Sequence, residues 1–192
     1  RGAIIFQFFS LLKSKKTPKV ETLFSDALNS LLNGDKNKAI SLLQKVVKKD
    51  TNHVRAYLQL GNLLRKENTD QAIKIHQSLT VRPNLRSEQK VEIHKALAKD
   101  YIEIGYTKNA IEQAKKILLI EKRNIWSLKF LISISEENQD WENAALWSKN
   151  LQKISGRKEL NNLSRFDIYK GLDCMRNGQT DEAKTFFKKA IK

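Results

Sequence analysis

The sequence predicts an all-α protein, a helical-repeat solenoid of about five helix pairs, and three observations carry that prediction. Alanines recur at Ala39, Ala72, Ala110, Ala144 and Ala183, at spacings of 33, 38, 34 and 39 residues. Each follows a polar turn: Asn33-Gly34-Asp35, Asn68-Thr69-Asp70, Gly105-Tyr106-Thr107, Asn138-Gln139-Asp140 and Asn177-Gly178-Gln179. Helix breakers are scarce, with 2 prolines and 7 glycines in 192 residues, while Leu, Lys, Glu, Gln and Ala are abundant and suit helices.

An amphipathic segment, a turn and an alanine-led amphipathic segment, repeated with a period near 34 residues, form the pattern of a tetratricopeptide array. Such pairs stack into a right-handed superhelical solenoid. The first repeat covers about residues 21–50, with helices at 21–32 and 36–48. The second covers 52–82, with helices at 53–66 and 69–80, and Pro83 stops it because proline disfavours helix in the residue before it. Its turn is one residue shorter than the repeat pattern asks for. A third repeat spans 87–121, a fourth 124–155, and a fifth runs from about Leu163 to the end. Ser155-Gly156-Arg157-Lys158 forms a longer polar connection between the last two. The array ends without a polar capping helix, so the chain reads as a fragment of a longer protein. Apolar residues recur at i, i+3, i+4 and i+7 within each pair, and small residues such as Gly61, Ala98 and Gly171 let the helices approach.

The N-terminal residues 1–20 read as a separate segment ahead of the repeat domain at 21–192. The stretch from Ala3 to Leu12 is apolar, and Lys13, Lys15, Lys16 and Lys19 follow it directly. A helix that crosses a bilayer needs about 20 apolar residues, so this stretch cannot cross alone. An apolar run followed by a basic cluster matches the cytoplasmic end of a membrane anchor. An interfacial helix and a core helix that caps the first repeat are the other placements. Arg1 is not a methionine, which fits a chain that begins inside a longer product.

The sequence carries none of the usual signatures of catalytic chemistry. The single cysteine, Cys174, excludes an internal disulfide and any multi-cysteine zinc site, and its phase makes it a small core residue. His53, His76 and His94 lack a third ligand at metal-binding spacing and read as packing histidines, with His76 and His94 in core phases. Glu136, Glu137, Asp140 and Glu142 read as a solvated acidic turn. No phosphate loop, nucleophile elbow or catalytic triad order is present. The expectation is a protein without enzymatic activity, cofactor or metal.

The net charge of +15 points to acidic partners, anionic lipid or nucleic acid, and only its placement can decide among them. The first helix of each pair lines the inner surface of a tetratricopeptide array, on the stripe opposite its apolar anchors. That stripe is Arg55, Leu58, Asn62, Arg65 and Lys66 in the second repeat. It is Glu92, Lys95, Lys99 and Glu103 in the third, and Trp126, Lys129 and Ser133 in the fourth. Arg55, Asn62, Arg65, Lys66, Lys95, Lys99, Trp126 and Lys129 are therefore the candidate partner-binding residues, suited to an acidic protein segment. Nucleic acid is disfavoured, because the aromatics sit mainly in core phases and not beside the cations as stacking platforms.

Certain strings are more specific than the repeat. Leu60-Gly61-Asn62-Leu63-Leu64-Arg65, Asp70-Gln71-Ala72-Ile73-Lys74-Ile75-His76-Gln77 and Arg82-Pro83-Asn84-Leu85 resemble the bacterial lipopolysaccharide assembly protein B family. Leu97-Ala98-Lys99-Asp100-Tyr101 and Trp141, three residues before Ala144, continue the resemblance over about residues 30–192. It implies an inner-membrane protein with an N-terminal anchor, a cytoplasmic repeat domain and a C-terminal rubredoxin-like metal domain. The implied role is to regulate lipopolysaccharide synthesis by presenting the lipid A pathway deacetylase to a membrane-bound ATP-dependent metalloprotease. The family's paired Cys-x2-Cys knuckles are absent from this sequence, so that metal function is not expected of it. The alternative is a generic scaffold or co-chaperone that binds acidic peptide segments.

Overall fold

A computed structural model describes residues 19–156 and 160–191, with side chains in the second stretch described from residue 163. The N-terminal segment assigned to residues 1–20 therefore lies almost entirely outside the described residues, as do Arg157 and Lys158 of the polar connection. Among the described residues every regular element is a helix. They are α1 (Val20–Leu32), α2 (Lys36–Lys49), α3 (Val54–Leu64), α4 (Thr69–Thr80), α5 (Ser87–Glu103), α6 (Thr107–Ile120), α7 (Ile125–Glu137), α8 (Trp141–Ser155), α9 (Leu160–Arg176) and α10 (Thr180–Ala190). Most boundaries fall within a residue or two of those read from the turns. The fifth repeat differs, since α9 begins at Leu160, before the expected Leu163. No helix among the described residues is long and apolar enough to cross a membrane.

The polar turns act as helix stops and starts. In four of the five turns within a pair, one residue adopts positive φ: Gly34 (77°), Gly105 (74°), Gln139 (57°) and Gly178 (78°). The amide after it then reaches back five residues, as in Asp35 N to Ser30 O at 2.9 Å and Asp140 N to Ser135 O at 2.8 Å. This closure satisfies carbonyls that the helix end would otherwise leave open. The second turn, one residue shorter, closes with Asn68 N on Leu64 O at 2.7 Å and needs no left-handed residue. Side-chain caps then start the next helices. Asp35 accepts from Lys38 N at 3.0 Å, Asn68 from Gln71 N at 3.0 Å, Asn124 from Ser127 N at 3.0 Å and Asp140 from Asn143 N at 3.1 Å. Each such cap contributes about 1 kcal/mol.

The recurring alanines sit where the two helices of a pair touch. Ala39, Ala72, Ala110 and Ala144 are fully buried, and Ala183 nearly so. A methyl group there permits an approach that a larger side chain would block, which is why the sequence signal is alanine and not merely apolar. Gly171 does the same in the last pair, where a Cβ would lie 2.5 Å from Phe187 Cε1.

The chain divides after Leu63 into two compact units. In the first, Leu23, Phe24, Ala27, Leu43 and Val46 form the core between α1 and α2. In the second, Val91, Ile93 and Leu97 of α5, Ala114 and Ile117 of α6, and Leu128, Leu131 and Ile134 of α7 are buried. Successive pairs are joined by polar contacts as well. Ser127 Oγ donates to Ala114 O at 2.6 Å, and Trp141 Nε1 donates to Asp173 Oδ2 at 2.5 Å.

Cys174 departs from its expected place in the core. It is only half-buried, with Sγ 3.9 Å from Glu182 Oε2. The close contact of α9 with α10 is made by Gly171 against Phe187, and Cys174 falls beside the carboxylate that opens α10.

Candidate functional site

Of the eight candidate residues, Arg55 and Asn62 belong to the first unit and the other six to the second. Arg55 lies over the Phe24 ring, 5.3 Å from its centroid, and Asn62 is exposed on α3.

Within the second unit, Arg65 and Lys66 are held by α5. Arg65 Nε donates to Asp100 Oδ1 at 2.5 Å and its Nη2 to Ala96 O at 3.3 Å, leaving Arg65 only 14 % exposed. Asp100 is fully buried, and its other oxygen is hydrogen-bonded to Nδ1 of the equally buried His76 at 2.5 Å. Lys66 meets Glu103 at 2.9 Å. Arg65 therefore ties the end of the second pair to the third, and its charge faces a partner inside the protein.

Lys95 and Trp126 are brought together. Lys95 Nζ donates to Glu92 Oε1 at 2.7 Å and lies 5.7 Å from the Trp126 ring centroid. Trp126 stacks on Phe130 one turn further along α7, at 4.9 Å and 19°. Lys99 and Lys129 are exposed and make no ion pair among the described residues. Lys95, Lys99, Trp126 and Lys129 thus mark one face of α5 and α7, where a cation, an aromatic pair and two further ammonium groups reach solvent.

Lys129 also borders a cleft of about 590 Å³ between α7, α8 and the start of α9. Ile125, Ile132 and Leu151 give it an apolar lining, with Ser133, Ser148 and Gln152 as polar groups. Arg165 closes one side by donating to Glu136 Oε1 at 2.5 Å. The acidic turn is solvated as its sequence suggests at Glu137, Asp140 and Glu142, which are exposed, and only Glu136 is half-buried. Glu136 pairs with Arg165, Asp140 caps α8 and Glu137 accepts from Ser133 Oγ at 3.1 Å. Beyond Arg165, the same face of α9 exposes Ile168, Leu172 and Met175 at helical spacing.

Sequence reasoning missed Asp100, Arg165 and this apolar stripe. Asp100 could have been found, since a carboxylate three residues after Leu97 and seven after Ile93 occupies an apolar phase and demands a buried partner. Ile168, Leu172 and Met175 carry the i, i+4, i+7 spacing on the flank of Gly171, which is the corresponding signal there.

The histidines serve packing. His53 lies against Phe24 with ring centroids 4.6 Å apart and planes tilted by 47°, and its Nδ1 accepts from Ala56 N at 3.1 Å. His94 is hydrogen-bonded to Gln113 Oε1 at 2.8 Å. Burial pushes the His94 pKa below its ordinary value of 6.5; the Gln113 bond opposes this and the nearby Lys116 charge adds to it. His76 and His94 thus have separate partners on different helices. Among the described residues, no group of three His, Cys, Asp or Glu side chains is placed to hold a metal ion.

The helix pairs and buried alanines define an all-α tetratricopeptide-repeat protein. A family profile described as tetratricopeptide repeat matches residues 171–192. Solved structures agree on the fold. That of MamA is 22% identical and covers 86% of this chain and 92% of its own, with a TM-score of 0.59. A tetratricopeptide repeat protein from Parabacteroides merdae ATCC 43184 is 16% identical over 90% of this chain and 65% of its own, with a TM-score of 0.64.

Among curated proteins, the chain is similar to lipopolysaccharide assembly protein B. The Escherichia coli K12 protein is 30% identical over 163 residues, which is 84% of this chain and 42% of that protein. The Haemophilus influenzae protein is 28% identical over 162 residues, or 79% of this chain and 40% of its own length. The resemblance read from Leu60 onward therefore holds, and the chain spans about two fifths of the curated relatives it matches. These likenesses show the tetratricopeptide-repeat fold and a similarity to lipopolysaccharide assembly protein B.

Proposed function

We propose that this chain is the protein-binding part of a regulator of lipopolysaccharide synthesis, working at the cytoplasmic face of the bacterial inner membrane. The observation that carries the reading is its 30% identity to lipopolysaccharide assembly protein B across most of the chain. In this reading the repeat array holds the lipid A pathway deacetylase and presents it to a membrane-bound ATP-dependent metalloprotease. Two partners confined to one membrane meet at high effective concentration, so modest affinity is enough.

The contact face is that of α5 and α7. Lys99 and Lys129 supply solvent-exposed cations, and the Lys95–Trp126 pair supplies an aromatic ledge with a charge on it. A partner segment that pairs a carboxylate with an apolar side chain fits this chemistry, through charge-assisted bonds and ring contact. Lys66 offers a further cation in the same unit and Arg65 contributes by holding α5 in place, while Arg55 and Asn62 offer contacts of their own in the first unit.

The test is a pull-down from the source bacterium with the full-length protein, against Lys95→Glu/Lys99→Glu/Lys129→Glu. Recovery of the deacetylase or the protease by the wild type, with loss in the variant, supports both role and face. Equal recovery by both moves the face elsewhere. Recovery of neither, with unrelated acidic-tailed proteins in their place, favours the generic scaffold.

A further inference from the structure

The second helix of each pair in the larger unit, α4, α6, α8 and α10, carries its charges unevenly. Every carboxylate within these helices lies in the first two turns: Asp70, Glu112, Glu142, Asp181 and Glu182. Beyond those positions come Lys74, Lys115, Lys116, Lys149, Lys153, Lys184, Lys188 and Lys189 with no carboxylate inside the helices, and Lys122 and Arg123 follow α6 directly. Lys115, Lys116, Lys122, Arg123, Lys149 and Lys153 are exposed and make no ion pair among the described residues.

Helix dipoles alone would favour acids at the start and lysines at the end. They give no reason for large apolar groups on the same surface. Leu119 and Val81 are each 83% exposed and Leu146 is 49% exposed. These positions recur in register: Val81 lies nine residues after Ala72, Leu119 nine after Ala110, and Lys153 nine after Ala144. On α6, Lys115 and Leu119 share one face, and on α8 Leu146, Lys149 and Lys153 do the same. Equivalent helices of successive repeats fall on the same side of a repeat array, so these groups share one outer surface in which apolar side chains stand among cations.

We propose that this outer surface of α4, α6 and α8 docks on an anionic lipid bilayer. Lys115, Lys149 and Lys153 would meet phosphate headgroups, and Leu119 would enter the boundary with the acyl chains. An exposed leucine costs free energy in water and gains it at that boundary, while each lysine gains from the negative surface potential. Duplex nucleic acid suits the surface less well, because it would use the cations and leave the leucine idle. The proposal concerns a face opposite to the one read as protein-binding, and either can fail without the other.

The test is co-sedimentation of the full chain with vesicles of phosphatidylethanolamine and phosphatidylglycerol, with phosphatidylcholine vesicles as reference. Lys115→Glu/Lys149→Glu/Lys153→Glu is expected to lower the partition onto anionic vesicles by at least about tenfold. Leu119→Asn is expected to lower it severalfold with no change of charge. Lys95→Glu/Lys99→Glu/Lys129→Glu, with the same change in net charge on the other face, is expected to have the smaller effect. Equal losses in the two triple variants would show that total charge alone matters and overturn the proposal, as would unchanged binding by the outer-face variant. Tighter binding to a short DNA duplex, indifferent to Leu119→Asn, would also overturn it. Should the triple reversal unfold by circular dichroism, the three lysines changed to Gln serve the same comparison.

Discussion

Replacing Asp100 by Ala should destabilise the larger unit by about 3 kcal/mol. The carboxylate has no exposed surface and holds two groups, Arg65 Nε and His76 Nδ1, each at 2.5 Å. Removing one member of a buried charged network costs roughly 3–5 kcal/mol, because the remaining charge keeps its desolvation penalty and loses its compensation. Arg65 retains 14% exposure and the Ala96 carbonyl, so it can relax toward water, which places the loss near the lower end. His76 is fully buried and has no such escape. A loss of about 3 kcal/mol corresponds to a fall in Tm of roughly 6–12 °C in a chain of this size. The assay is urea unfolding by circular dichroism for the wild type, Asp100→Ala, Arg65→Met and the double variant. The two single losses should exceed the double by at least about 1 kcal/mol, since the residues share one contact. A loss below about 1 kcal/mol for Asp100→Ala, or strictly additive losses, would refute the reasoning. The apolar triple Arg65→Met/His76→Phe/Asp100→Leu should recover much of the stability, because nothing charged remains buried.

Three further outcomes follow from local geometry. Ala110→Leu forces extra methyl groups into a fully buried helix contact and should cost about 1–3 kcal/mol, read as a lower urea midpoint with unchanged helix content. Gln139→Gly relieves a left-handed residue at φ 57° and should stabilise by about 0.5–1 kcal/mol, whereas an unchanged midpoint would mean the turn carries no strain. His94, with its pKa held below 6.5, makes stability highest above that value. As pH falls through it the unfolded chain binds the proton first, so stability declines. The wild type should therefore lose more stability than His94→Gln between about pH 7.5 and 5.5, and proton NMR should place the His94 titration below 6.5.

The repeat was legible because two local signals coincide at every pair. The turn chemistry marks where a helix must stop, and the buried alanine marks where two helices touch. Each acts over a few residues, so no tertiary knowledge is needed. The start of α9 was misplaced because the polar connection before it departs from the repeat period, leaving no periodic signal to set the boundary. The candidate face was partly legible. Helical spacing placed Lys95, Lys99, Trp126 and Lys129 on the inner-surface stripe, but it cannot tell a cation that faces solvent from one that bends to a neighbour. Arg65 and Lys66 share that stripe, yet each finds a carboxylate on α5, about 35 residues away in the chain. The apolar cleft beside α7 was invisible for a related reason, since it depends on how three helices diverge.

Repeat arrays face a problem of identity, because one helix pair resembles the next closely enough to stack in the wrong order. Apolar contacts tolerate such an exchange, as leucine packs nearly as well on a neighbour's leucine. The Arg65–His76–Asp100 cluster does not tolerate it. Asp100 is satisfied only when the pair that carries both Arg65 and His76 lies beside it, and other partners would leave a bare carboxylate in the interior. The cluster thus works as an address written between the second and third repeats. It fixes the order of assembly there, even though apolar residues in its place could make the contact equally strong.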